Sequence, residues 1–136
     1  MGGDLMANMM TGIQTEGKAE SGYGITIGGF YCPTHEFAGR FEALKKTMPP
    51  SRDFAIHEEQ GYVMVLVMSR SNPNIPQGLE LETYRREPHK FFADLPKFLA
   101  KTRAQFVDRM ILTGSLGSIS LTLLYRPVEE VREAGV

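Results

Sequence analysis

Several features that would narrow the function are scarce in this chain of 136 residues. It has one cysteine and no tryptophan, and its 15 basic and 16 acidic side chains leave a net charge of −1. A single cysteine excludes an internal disulfide and favours a reducing compartment. A nearly neutral chain produces no overall field that would attract nucleic acid or a membrane surface. The composition therefore excludes a disulfide scaffold and argues against a dedicated nucleic-acid binder.

Long apolar segments are also missing. The longest apolar run, Val63–Met68, is far too short to span a bilayer. Residues 1–22 carry neither a basic segment followed by a continuous apolar one nor any other mark of a secretory signal. We therefore expect a soluble, cytoplasmic protein.

The bulk composition predicts one globular domain. Hydrophobic residues make up 42% of the chain and charged residues 23%, which is typical of a domain with a buried core. Residues 1–21 show no periodicity and are interpreted as a mobile N-terminal arm. Residues 22–127 form the predicted α/β domain, and 128–136 a flexible C-terminal tail. No internal repeat is visible in the sequence.

Hydrophobic periodicity predicts seven elements in the order β-α-β-β-β-α-β. They are strands near 23–31, 52–59, 61–70, 79–86 and 119–125, a helix near 37–48, and a helix over 95–110 with Asp94 as its N-cap. If the strand at 52–59 is an extra one, the rest is the ferredoxin-like βαββαβ order. The predicted fold is thus α+β, a two-layer α/β sandwich of ferredoxin-like order with one extra strand.

The strand at 61–70 is apolar on both faces, which is typical of a central strand or of one in an interface. Two helices cover only one face of a four- or five-stranded sheet. We therefore expect the other face, with Val63, Val65 and Val67, to be buried in a homodimer; the alternative is that the N-terminal arm or the tail covers it within one chain.

Cys32 and His35 are the first candidates for chemistry, because they lie where a strand gives way to a helix. A thiol before a helix N-terminus has a lowered pKa, but lone cysteines are more often buried and inert. The two residues supply only two metal ligands, and His57 with Glu58 is distant in the sequence. We predict no metal and no cofactor.

His57 is the third weak catalytic candidate. Alternation along a strand places His57 and Glu59 on one face, where they can form an acid–base pair. A solvated strand end explains the same pattern, so the chain is predicted to be non-catalytic.

The stretch 85–109 is the one asymmetric region, with seven Lys or Arg against three acids. Its basic face could hold an acidic protein partner or nucleic acid, although an ordinary solvated helix face gives the same pattern. The residues of this predicted face are Arg85, Arg86, Lys97, Lys101 and Arg103.

These observations leave three hypotheses. The leading one is a non-catalytic binding or assembly module that works as a homo-oligomer. The second is a small dimeric ferredoxin-like enzyme or ligand-binding protein with an apolar pocket between sheet and helices. The third is a nucleic-acid accessory protein that uses the basic helix 95–110. The candidate pocket residues are Tyr31, Phe37, Phe41, Met64, Phe98 and Phe106.

Overall fold

The computed structural model describes residues 15–49, 53–115 and 117–129. They form an α+β fold of two antiparallel sheets and two helices. In chain order the elements are β1 (Glu16–Glu20), β2 (Ile25–Pro33), α1 (Phe37–Thr47), β3 (Asp53–Glu59), β4 (Tyr62–Arg70), β5 (Glu80–Arg86), α2 (Phe91–Thr102), β6 (Ala104–Ser115) and β7 (Ser118–Pro127). None of the described helices is long and apolar enough to cross a membrane.

Sheet A has the strand order β1-β2-β4-β3, and sheet B has the order β5-β7-β6. Strand β4 lies in the middle of sheet A, as its continuous apolar pattern predicts. Helix α1 covers the outer face of sheet A, where its apolar side packs on a cluster centred on Val65. Strand β6 of sheet B runs against β3 of sheet A.

The main core lies between the two sheets, and α2 is part of it. Leu95 and Leu99 of α2 are fully buried among inner-face residues of both sheets. Phe92 lies against Gly17 of β1, where a Cβ would approach the Phe92 Cβ to 3.0 Å. Helix α2 therefore lies between β5 and β1 and contacts both.

The chain contains the same structural unit twice. A strand, a short 3-10 helix, an α-helix and a β-hairpin occur as β2 to β4 and again as β5 to β7. In each unit the third strand lies between the first and the second and pairs with both. All of these pairs are antiparallel. The repeat is not apparent in the sequence because few residue types recur at equivalent positions.

The same local contact between two aromatic rings occurs within each unit. The ring of Phe30 lies 6.3 Å from that of Phe37, and the ring of Tyr84 lies 5.0 Å from that of Phe91, seven residues further on in each case. The units stack in the same sense, in the order α1, sheet A, α2, sheet B. Within the described ranges, the outer face of sheet B is left without a helix.

The ferredoxin-like order is not confirmed, because the described residues form seven strands in two sheets. The predicted helix 95–110 with Asp94 as its N-cap is wrong. Helix α2 begins at Phe91 and ends at Thr102, so Asp94 lies in its first turn, and Arg103 takes a left-handed conformation with φ of 53°. Register shifts between Ala104 and Phe106 and between Val107 and Arg109 then break the alternation of β6. They place Ala104, Val107 and Met110 on the buried side at a spacing of three, which imitates a helix.

The two predicted terminal segments are only partly described. Residues 16–20, assigned to the mobile arm, form strand β1 beside β2. Val128 of the predicted tail donates a backbone hydrogen bond of 3.0 Å to the carbonyl of Arg103. Residues 1–14 and 130–136, the rest of the predicted arm and tail, lie outside the described residues.

The premise of the predicted valine interface is also corrected. Val63, Val65 and Val67 are at most 4% exposed in the single chain, because α1 lies over them. Their burial requires no second chain. A Val65→Lys substitution would therefore disrupt the fold of one chain rather than separate two.

Candidate functional site

The largest concave feature among the clefts described here is a groove of about 660 Å³ between β5 and α2. One wall is the consecutive run Glu82 to Arg86 of β5. Because neighbouring side chains of a strand point to opposite faces, a run of five lining residues means that the groove follows the edge of the strand. The other wall is one side of α2, at helical spacing: Asp94, Lys97, Phe98, Lys101 and Thr102.

The strand wall of this groove is open for pairing. Strand β5 lies at the edge of sheet B and pairs with β7 on one side. No other strand in the described part of the chain pairs with its second edge. A strand edge of this kind presents backbone N–H and C=O groups in a regular row.

The floor of the groove is rigid and aromatic. The rings of Tyr84 and Phe98 stack with centroids 5.0 Å apart. The Tyr84 hydroxyl donates a buried hydrogen bond to the backbone carbonyl of Phe91. Burial raises the pKa of Tyr84 well above its usual value, so this hydroxyl keeps its proton into the alkaline range. This contact fixes α2 against β5 and sets the width of the groove.

The charges around the groove are predominantly basic. Arg85, Arg86, Lys97 and Lys101 line it with the two acids Glu82 and Asp94, which gives a net charge of +2. The Arg86 guanidinium lies 3.1 Å from Asp94 and 4.9 Å from the Tyr84 ring centroid. Lys97 and Lys101 are exposed one helical turn apart, and neither has an acidic partner among the described residues.

The structure therefore brings four of the five residues of the predicted basic face into one groove. Arg103 is the exception, because it follows the end of α2 and its guanidinium lies 5.9 Å from the Tyr23 ring centroid. Glu82 and the open edge of β5 were not predicted from the sequence. The signals of this site in the sequence are the excess of basic residues over 85–109 and the helical spacing of 94, 97, 98, 101 and 102.

The other candidate residues do not form a second basic or metal site. Cys32 is buried under α1, and burial raises the pKa of its thiol, which is the opposite of an activated cysteine. The His35 side chain is 81% exposed beside Glu36. Within the ranges that the structure describes, no three His, Cys, Asp or Glu residues are grouped as metal ligands would be.

His57 is placed differently. Its Nε2 lies 3.3 Å from Oε2 of Glu59, so the pair expected from strand alternation is formed. Both residues line a cleft of about 350 Å³ near the turns of the hairpins β3–β4 and β6–β7.

The predicted apolar pocket residues do not meet in one cavity. Tyr31, Phe98, Phe106 and Phe41 line four different surface clefts. Met64 is fully buried in the main core, and Phe37 of α1 packs on the apolar cluster beneath that helix. The second hypothesis thus loses the shared pocket on which it rested.

Comparisons with protein-family models, with curated proteins and with solved structures find no match to this chain.

Proposed function

We propose that this chain is a non-catalytic binding module that holds an extended, acidic segment of a partner protein in the groove between β5 and α2. The observation that carries the proposal is the position of four basic side chains around an open strand edge. A strand edge recognises a backbone, whereas the basic side chains select for carboxylates. Together they favour an acidic peptide over a compact anion.

Binding by strand addition follows from this geometry. The backbone of the partner pairs with the second edge of β5, as in other proteins that extend a sheet with a bound peptide. Alternate side chains of the partner then point toward α2, where Lys97 and Lys101 offer cations and Phe98 an apolar surface. An acidic residue at every second position matches this arrangement.

The affinity should be moderate and dependent on salt. Each new backbone hydrogen bond contributes about 0.5–1.5 kcal/mol and each exposed ion pair about 0.2–1 kcal/mol. Screening shortens the range of exposed charges to about 8 Å at physiological ionic strength. The module therefore suits a reversible contact rather than a permanent complex.

Fluorescence anisotropy with a labelled heptapeptide of alternating glutamate and valine tests the proposal. We expect the double variant Lys97→Glu/Lys101→Glu to weaken binding by about tenfold or more. The matched control is Lys45→Glu/Lys46→Glu on α1, which reverses two exposed charges away from the groove and should change binding less than about twofold. The same peptide with alternate N-methylated residues should bind much more weakly, because it cannot pair with β5.

Three outcomes would contradict the proposal. The first is no binding of the heptapeptide at about 1 mM, which corresponds to roughly −4 kcal/mol. The second is equal binding of the N-methylated peptide, which would reduce the site to a charge attraction. The third is tighter binding of a single-stranded oligothymidine of similar charge, which would favour the nucleic-acid hypothesis.

Self-association is a second candidate function, and exposed apolar residues on the outer faces of both sheets favour it. Phe54 and Ile56 of β3 are 49% and 53% exposed, and Ile111 and Leu81 of sheet B are 52% and 64% exposed. Strand β6 runs against β3, so Phe54, Ile56 and Ile111 belong to neighbouring strands, whereas Leu81 lies on β5 at the other edge of sheet B. Exposed apolar surfaces of this kind mark interaction sites. The proposed homodimer thus forms through these outer faces rather than through the buried valines.

Light scattering behind size exclusion at about 100 μM tests this candidate. We expect a mass near twice 15.2 kDa for the natural chain and a folded monomer for Ile56→Lys/Ile111→Lys. The control Phe106→Lys changes a half-buried residue of another cleft and should leave the dimer intact if it folds. A monomer of the natural chain would contradict the candidate.

A further inference from the structure

The cleft around His57 has the features of a second, separate binding site. It lies where the turn Gln60–Gly61 and Gly117 of the second hairpin approach the end of β2 and the 3-10 helix before α2. Equivalent ends of the two structural units meet here. The volume of about 350 Å³ lies within the range of small-molecule sites.

Aromatic rings form one side of this cleft. The rings of Tyr31 and Tyr62 stack with centroids 5.3 Å apart and an angle of 20° between their planes. The ring of His89 meets Tyr31 edge-on at 5.6 Å. Tyr62 is 42% exposed, so part of this aromatic surface is accessible. Ring faces of tyrosine attract cations.

A positioned carboxylate completes the cleft. Glu59 Oε2 is held by His57 Nε2 at 3.3 Å, and the Glu59 side chain is 44% exposed. Gly114 lies directly beneath this pair, and a Cβ there would collide with His57 Nε2 and come within 2.7 Å of Glu59 Oε2. The pair therefore occupies space that only glycine leaves open. A carboxylate has acceptor capacity for more than one donor, so Glu59 can bind a ligand while it contacts His57.

The electrostatics of the cleft favour a cation. No lysine or arginine is among its lining residues, which include one acid. Burial raises the pKa of Tyr31, and the nearby Tyr62 and Glu59 raise it further, which is consistent with an electronegative mouth.

We propose that this cleft binds a planar organic cation of the guanidinium class between the Glu59 carboxylate and the Tyr62 ring. A guanidinium donates two parallel hydrogen bonds to a carboxylate and stacks on aromatic faces. A compact ammonium group forms neither the paired hydrogen bonds to the carboxylate nor the stacking on the ring as well as a guanidinium does. The site is independent of the peptide groove, which lies between β5 and α2.

Isothermal titration of the natural chain with L-argininamide and L-citrullinamide tests the site without any mutation. The two probes have nearly the same shape, but citrullinamide has a neutral urea group in place of the guanidinium. We expect argininamide to bind at least about tenfold more tightly, because a charged hydrogen-bonded pair is lost in citrullinamide. Lysinamide should fall between them.

A pair of variants on adjacent residues then locates the binding. Glu59→Gln should weaken argininamide binding about tenfold or more. Glu58→Gln, which removes the same charge on the opposite face of β3, should change it less than about twofold. Tyr62→Leu should weaken it several-fold, because the cation then loses an aromatic face. A thermal melt of each variant shows whether it is folded.

The source of the cation is resolved by one further probe, the capped tripeptide acetyl-Gly-Arg-Gly-amide. Tighter binding of the tripeptide indicates an arginine side chain of another protein, and weaker binding indicates a free small molecule. Equal binding of argininamide and citrullinamide would overturn the proposal. An equal effect of Glu58→Gln and Glu59→Gln, or no binding at about 10 mM, would also overturn it.

Discussion

At the scale of single residues, Gly29 shows how closely β2 and β4 approach each other. It pairs with Leu66 in the middle of sheet A and is buried. A Cβ at this position would fall on the carbonyl oxygen of Val65 and approach a Leu66 methyl group to 2.9 Å. Backbone atoms of a central strand cannot move aside as a flexible side chain can. Only glycine therefore fits at this position, because any side chain would overlap the backbone of β4.

We predict that Gly29→Ala lowers the free energy of unfolding by about 2–4 kcal/mol, because the strands must separate to admit the methyl group. The control is Gly39→Ala on the exposed side of α1, where a Cβ would meet nothing within 4 Å. That change should raise the free energy of unfolding by up to about 1 kcal/mol, since alanine favours helix. Urea titration of both variants measures the difference. Similar stability of the two would show that sheet A is looser than described.

At the scale of elements, the turn of the β3–β4 hairpin carries strain that one substitution can relieve. Gln60 and Gly61 both have positive φ, 51° and 82°, as a two-residue hairpin turn requires. Asparagine tolerates this conformation better than glutamine. We expect Gln60→Asn to raise the free energy of unfolding by about 0.5–1 kcal/mol.

The control variant for Gln60→Asn is Gln77→Asn, at an exposed position of the loop after β4. It should change the free energy of unfolding by less than about 0.5 kcal/mol. Denaturant unfolding of the two variants and the natural chain is sufficient. A loss of stability in Gln60→Asn would contradict the turn geometry.

Elements with strict periodicity could be predicted from the sequence. Helix α1 was found because Phe37, Phe41, Leu44 and Met48 recur on one side, and strand β4 because its apolar run is continuous. Strand β1 was missed because its inward positions are Gly17 and Ala19, which are too small to give an apolar signal between the charged residues. Strand β6 was missed because its two bulges give a spacing of three on the buried side.

The groove was predictable in charge but not in shape. The excess of basic residues over 85–109 is a property of the sequence, and four of them line the groove. The open edge of β5 depends on the order of strands in sheet B, which is set by contacts between residues far apart in the chain. The cleft at His57 likewise requires Tyr31, Glu59 and Gly117 to meet from three separate segments.

At the scale of the whole molecule, buried tyrosines determine how stability responds to alkali. Burial raises the pKa of Tyr31, Tyr84 and Tyr125 above the usual value of tyrosine, and Tyr84 is raised most clearly. Each of these groups keeps its proton in the folded chain at a pH where the unfolded chain loses it. Their contribution to stability is therefore fully present below pH about 10 and is lost as the pH rises further.

We predict that these tyrosines leave the free energy of unfolding nearly constant from pH 8 to about 9.5. Above that pH they make it fall steeply. Tyr84→Phe should reduce that slope above pH 10, because one of the titrating groups is removed. At pH 8 the same variant should lose about 1 kcal/mol, the contribution of the hydrogen bond to Phe91. Urea titrations at half-unit steps of pH measure both effects. An unchanged alkaline slope in Tyr84→Phe would contradict the assignment.

The stacking of two like units in the same sense gives the molecule two unlike ends, a helix on one side and a bare sheet on the other. Exposed Glu42, Lys45 and Lys46 make the helical end charged, so it is a poor match for the apolar residues of the sheet end. A head-to-tail contact between copies would have no natural limit and would grow into a filament. Two copies that meet about a two-fold axis through sheet B and the neighbouring strand β3 cover their exposed apolar residues in one contact and leave the charged side of α1 outside. An assembly of this chain should accordingly stop at two copies.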